Sequence, residues 1–151
     1  SVLEIMEEFA AEADFFSIGT NDFVQYMLAV DRNNEKVAEW YRPYHPSVLR
    51  SIAKMVRTAL AMGKDISVCG EMAHEPEYIP FLLGIGLRSL SADPQYLIGV
   101  QSSIARLKMS DAEKYAEHLL SQSTISGALK VIDRYPGKAG ESRPEGSKIV
   151  A

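Results

Sequence analysis

Asp14-Phe15-Phe16-Ser17-Ile18-Gly19-Thr20-Asn21-Asp22 decides the fold. Its aromatic and β-branched run, closed by Gly19, predicts a strand of about five residues. Thr20, Asn21 and Asp22 then supply helix-start chemistry for an apolar pattern carried by Val24, Met27 and Leu28, which Arg32-Asn33-Asn34 breaks. Downstream, His45-Pro46-Ser47 starts the clearest helix, with Pro46 suited to a first helical position and Gly63 to a stop. Val48, Leu49, Ile52, Met55, Val56, Ala59 and Leu60 form its apolar stripe. Ile66-Ser67-Val68-Cys69 repeats the strand signal and is closed by Gly70. A helix over about 77–83, a strand over 87–91 and a helix over 94–107 complete the alternation.

The flanks read differently. Residues 1–13 predict a helix, with Ser1 and Glu4 at capping-box spacing. The chain opens on Ser rather than Met and directly in this pattern, so a piece of something longer is expected. Ser110 and Glu113 have capping-box spacing, and terminal helices are expected over 110–133. Residues 134–151 carry Pro136, Gly137, Gly140, Pro144 and Gly146 among charges, and a disordered tail is expected there.

Strands alternating with helices over residues 1–109 indicate an α/β class with a parallel sheet. Three parallel strands alone make a poor domain, since such sheets have both faces covered. The pattern therefore predicts the last three βα units of a larger doubly wound sheet or (β/α)8 barrel, incomplete as a barrel on its own. Such barrels place their chemistry at the C-terminal ends of the strands.

Composition narrows the partners. The 151 residues are 46% hydrophobic, enough for a core, and 16 Lys+Arg against 20 Asp+Glu give a net charge of −4. That balance removes the electrostatic argument for a nucleic-acid binder. A single cysteine excludes an intrachain disulfide and fits a reducing cytoplasm. No apolar run approaches the roughly 20 residues that span a bilayer.

Two polar clusters stand where barrel chemistry belongs: Gly19-Thr20-Asn21-Asp22 after the first strand, and Cys69-Gly70-Glu71 after the second. Asp22 offers a hard oxygen ligand suited to Mg²⁺ beside a substrate phosphate. Asn21 can donate its amide to a phosphate oxygen, helped by the helix start. The same three residues, Thr20, Asn21 and Asp22, are equally the standard caps of a helix, and both readings stand. Arg32 presents a fork of donors suited to phosphate or carboxylate, against the ordinary alternative of a surface pair. Cys69 can donate a proton or act as nucleophile, or simply pack. Glu71 is a candidate acid, base or supporting partner, or a surface carboxylate. His45, His74 and His118 have no metal-pair or triad spacing.

Asp14 to Asp22, with Gln25-Tyr26, Leu28-Ala29 and Asp31-Arg32, resembles the signature of phosphoenolpyruvate-utilising enzymes. Tyr44-His45-Pro46, Val48-Leu49-Arg50, Val68 to Ala73 and Leu82 to Leu87 extend the likeness over residues 1–107. Tyr26 and Tyr44-His45-Pro46 bring it nearest the Enzyme I branch, the phosphoenolpyruvate–protein phosphotransferases. Pyruvate phosphate dikinase and phosphoenolpyruvate synthase are the alternatives within that family.

The resemblance implies a (β/α)8 barrel binding phosphoenolpyruvate and Mg²⁺. The phosphoryl group passes to a histidine on a separate N-terminal domain and then to a phosphocarrier protein of the sugar or nitrogen phosphotransferase system, releasing pyruvate. Position by position, Asp22 matches the metal-binding carboxylate and Asn21 the phosphate-contacting amide. Arg32 matches the substrate-neutralising arginine, and Cys69 the acid that protonates the enolpyruvate methylene carbon. The family also implies a homodimer paired through the barrel. Phe23-Val24 replaces the family's Leu-Thr, and His74-Glu75 its Gly-Asp, neither at a matched role. The family's second metal carboxylate, in a Glu-x-Pro motif, and its phosphohistidine domain are expected upstream of Ser1. Such a chain alone is expected to be catalytically silent. A non-catalytic binding module on the same scaffold is the competing reading from another class.

Overall fold

A computed structural model describes residues 2–135. Its centre is a three-stranded parallel sheet in the order β1-β2-β3, with β1 at Phe15–Gly19, β2 at Asp65–Cys69 and β3 at Ser89–Leu90. Phe15 pairs with Asp65 and Gly19 with Cys69, so the two strands end side by side. β3 pairs only as Ser67–Ser89 and Val68–Leu90, shorter than the 87–91 run predicts. Leu87 is instead withdrawn into the core behind Gly86, and one further bond, Ser91 N–H to the Val68 carbonyl at 2.8 Å, extends the pairing.

Seven α-helices accompany the sheet among the described residues: α1 Met6–Glu12, α2 Thr20–Leu28, α3 Pro46–Ala61, α4 Ile79–Gly84, α5 Leu97–Ala105, α6 Met109–Ser121 and α7 Ile125–Asp133. α3 begins as the sequence dictates. Pro46 takes its first turn, and His45 Nδ1 accepts the Ser47 N–H at 3.2 Å. Val48, Leu49, Ile52, Val56 and Ala59 are fully buried, each aliphatic side chain contributing roughly 1.5–3 kcal/mol. Leu60 falls outside the stripe and is half exposed, because it sits one residue round the helix from Ala59.

One expected cap is not made: α6 starts at Met109 after Lys108, with Ser110 already inside the helix. Val2–Ile5 is a 3-10 turn leading into α1, and the Ser1 cap expected there lies outside the described residues. Thr124 does cap α7, accepting the Gly127 N–H at 3.1 Å. α2 ends earlier than Arg32 implies: Ala29 turns into the left-handed region at φ 53° and Val30, buried, closes the helix on the Gln25 carbonyl.

Helices α6 and α7 share the main core through Tyr115, Leu119, Ala128 and Ile132. α6 packs closely on α4, and Arg50 of α3 holds its last turn by donating to the Leu120 and Gln122 carbonyls at 3.2 and 2.8 Å. Tyr135 lays its ring against Tyr115, and the remainder of the expected tail lies outside the described residues. Among the described residues no helix is long and apolar enough to cross a membrane.

The sheet is asymmetric. Ile18, Ile66 and Val68 are buried on one face, as period-two alternation requires. Ser17, Ser67 and Cys69 lie on the other face, where side chains are exposed or half exposed.

Candidate functional site

The parallel register brings the two polar clusters together. Thr20 Oγ1 donates to the Cys69 carbonyl at 2.8 Å, and Thr20 is the one fully buried polar residue of the described chain. Asn21 Oδ1 accepts the Glu71 N–H at 3.1 Å. Capping is therefore not what these residues do. Gly19 occupies the position before α2, and no side chain caps it. The strand runs straight into the helix, so Thr20 and Asn21 already lie in its first turn and reach across to β2.

Asp22 is exposed in that same first turn, where the helix N-terminus favours a carboxylate. Its Oδ1 accepts from Gln25 Nε2 at 3.2 Å, one turn on. Gln25 Oε1 in turn accepts the Arg32 N–H at 3.1 Å. Arg32 lies in the turn beyond the helix, and its Nη1 pairs with Glu71 Oε1. A continuous polar chain thus runs Asp22–Gln25–Arg32–Glu71–Asn21. It ties the end of β1 to the end of β2.

Between these loops stands Tyr41, close to Arg32. Burial first, then the Glu71 and Glu75 carboxylates, push its hydroxyl up to about 12, with Arg32 opposing. It remains a neutral donor at physiological pH. Cys69 is half exposed, and its Sγ–H donates to the Ile18 carbonyl at 3.6 Å, as a protonated thiol can.

Gly70 makes the approach possible. Its φ of 94° and ψ of −170° belong to glycine, and a Cβ there would stand 2.5 Å from Thr20 Oγ1 and 3.0 Å from Asn21 Oδ1. On the same end of the sheet the His74 ring stacks on Tyr96, centroids 3.8 Å apart and ring planes nearly parallel. The loops after β2 and β3 are thereby joined. His45 serves α3, and His118 lies on α6, away from the strand ends.

All four sequence-predicted residues, Asn21, Asp22, Arg32 and Cys69, lie at this end of the sheet. Sequence reasoning missed Tyr41, for which no spacing signal exists, and the bridging role of Gln25. The three-residue step from Asp22 to Gln25 is the signal that finds the latter. Among the described residues no three His, Cys, Asp or Glu side chains converge to hold a metal. A single exposed carboxylate, Asp22, fits one corner of a magnesium shell, which takes one or two carboxylates with phosphate and water.

Residues 1–109 match the model of a family described as PEP-utilising enzyme, PEP-binding domain. The chain is 44% identical over 132 residues to a phosphoenolpyruvate-protein phosphotransferase of Bacillus subtilis (strain 168). It is 40% identical over 131 residues to one of Listeria monocytogenes, and 39% identical over 132 residues to one of Streptococcus equinus. Each comparison covers 87% of this chain and 23% of the relative. The chain therefore spans about a quarter of the length of the curated relatives it matches.

Proposed function

The chain belongs to the PEP-utilising enzymes, and on that premise we propose that its strand-end cluster serves phosphoenolpyruvate-dependent phosphotransfer of the Enzyme I type. The observation that carries this reading is the Asp22–Gln25–Arg32–Glu71–Asn21 chain, which holds an exposed carboxylate, an amide and a guanidinium at the strand ends with the Cys69 side chain.

Phosphoryl transfer asks a protein for alignment and charge neutralisation more than for covalent help. The Arg32 fork meets the anionic oxygens of phosphoenolpyruvate, and Glu71 fixes its aim. The Asn21 oxygen is held by the Glu71 N–H, which fixes the amide so that its NH₂ group is the donor. That group donates to a phosphate oxygen. Asp22 would hold Mg²⁺, which would supply charge neutralisation to the phosphoryl oxygens. When the bond from phosphorus to the enol oxygen breaks, the phosphoryl group goes to a histidine nitrogen on another domain. Enolpyruvate takes the Cys69 Sγ proton on its methylene carbon and leaves as pyruvate, and solvent reprotonates the thiolate. A phosphocarrier protein receives the phosphoryl group afterwards. The enzyme works in the cytoplasm as a homodimer.

The same reading completes the sheet into a (β/α)8 barrel. Support comes from the parallel strands, the outer edges of β1 and β3, which have no partner strand among the described residues, and the polar face opposite the helices. Cys69 lies on that inner face, at the end where barrels keep their chemistry.

The test is a chimera in which residues 2–135 replace the matching segment of the Bacillus subtilis relative. With Cys69→Ala, pyruvate release from phosphoenolpyruvate is expected to fall about a hundredfold, on the scale of general-acid contributions, while KM changes little. An unchanged kcat would remove Cys69 from proton transfer. Arg32→Ala should instead raise KM as well as lower kcat.

A further inference from the structure

A second cavity lies on the helical side, enclosed by the start of α4, the α5–α6 connection, α6 and α7, with a volume of about 770 Å³. It shares no residue with the strand-end cluster. Cavities of roughly 300–1,000 Å³ with apolar walls and a few convergent polar groups are the usual size of small-molecule sites.

Its charge is opposite to that of the chain. The protein carries 20 acidic against 16 basic residues, yet Arg106, Lys108, Lys130 and Arg134 line this cavity against one carboxylate, Asp111. The four cations come from two segments, Arg106 and Lys108 from the α5–α6 connection and Lys130 and Arg134 from α7 and its end, and all four residues are exposed. Clefts lined by one sign of charge concentrate the opposite ion. Arg106 is fixed by donating from Nε to the Ser102 carbonyl at 3.2 Å. The two arginines offer planar forks that match phosphate oxygens.

The walls are apolar and aromatic. Ile79 and Val131 are buried in them, and Tyr115 and Tyr135 meet with ring centroids 4.6 Å apart. Burial and nearby carboxylates raise both phenols above their ordinary range, so neither adds a negative charge. Glu77 and Asp133 act on Tyr115, but neither lines the cavity.

We propose that this cavity binds a small polyanion with a planar body, of the nucleoside diphosphate class. The phosphates meet Arg106, Lys108, Lys130 and Arg134, and the ring lies against the Tyr135 wall.

The experiment titrates ADP into the full chain by calorimetry, with amide and tyrosine resonances followed in parallel. The expected result is saturable binding that perturbs Tyr135 and weakens with salt. Lys130→Glu with Arg134→Glu should reduce affinity about tenfold or more, equal to about 1.4 kcal/mol. Arg106→Glu with Lys108→Glu gives an independent second variant. All four side chains are exposed, and circular dichroism confirms that each variant folds. Arg32→Ala should leave ADP binding unchanged. Pyrophosphate and adenosine should each bind more weakly than ADP. No binding at millimolar ADP, binding untouched by both charge reversals, or loss with Arg32→Ala would overturn the proposal. Pyrophosphate binding as tightly as ADP would also overturn it, because the ring would then contribute nothing.

Discussion

At the scale of single residues, the site depends on what β2 allows next to β1. Gly70 adopts a backbone conformation that other residues avoid, and its missing Cβ leaves the space that Thr20 and Asn21 fill. Gly70→Ala is therefore predicted to destabilise the fold by about 2–3 kcal/mol, through strain and the displaced Thr20 hydroxyl. Urea unfolding measures it, and an unchanged midpoint would mean that the loop relaxes freely. The strand-end positions of Asn21, Asp22 and Cys69 were legible because they follow directly on two strand signals, whereas Arg32 comes only after the intervening helix. What they bond to was not legible. Capping and cross-strand bonding call for the same residue types, and only the pairing of Gly19 with Cys69 decides between them. The Arg32–Glu71 pair joins residues 39 positions apart, and Tyr41 enters from an irregular loop. No local period encodes either contact.

At the scale of elements, legibility followed the strength of the local pattern. α3 has a proline start, a continuous stripe and a glycine stop, and it forms where its residues say. The third strand is shorter than its apolar run because Leu87 serves the core instead of the ladder. The capping-box spacing at Ser110 misleads because α6 starts earlier, at Met109, where it packs on α4. That packing turns on Gly84. A Cβ there would stand 2.2 Å from the Ala112 carbonyl oxygen, a backbone atom that cannot swing aside. Gly84→Ala is predicted to separate α4 from α6 at a cost of roughly 3 kcal/mol. It should also expose Tyr115, whose hydroxyl donates to the Glu77 carbonyl at 3.1 Å. Tyrosine fluorescence and thermal unfolding report both effects. An unshifted melting temperature would contradict the close approach of the two helices.

At the scale of the whole molecule, the sheet has helices on one face and polar side chains on the other, with outer edges unpaired among the described residues. Exposed Phe15 on the edge strand belongs to the same pattern. Parallel sheets are stable when both faces and edges are engaged, and in a closed barrel they are. The alternation of strands and helices made the α/β class and its parallel sheet readable from 151 residues, while the cavity between α4 and α7 was not. Its cations are scattered from 106 to 134, and only the packing of three helices gathers them. If the ends of β1 and β2 form a phosphoenolpyruvate phosphotransfer site, the phosphoryl group must pass through them to protein. Phosphoenolpyruvate labelled in its phosphoryl group is supplied to the folded chimera with Mg²⁺, and label on protein is followed. The expected result is acid-labile, histidine-type incorporation that Arg32→Ala abolishes. A folded chimera that takes no label, or takes it equally with Arg32→Ala, would contradict it.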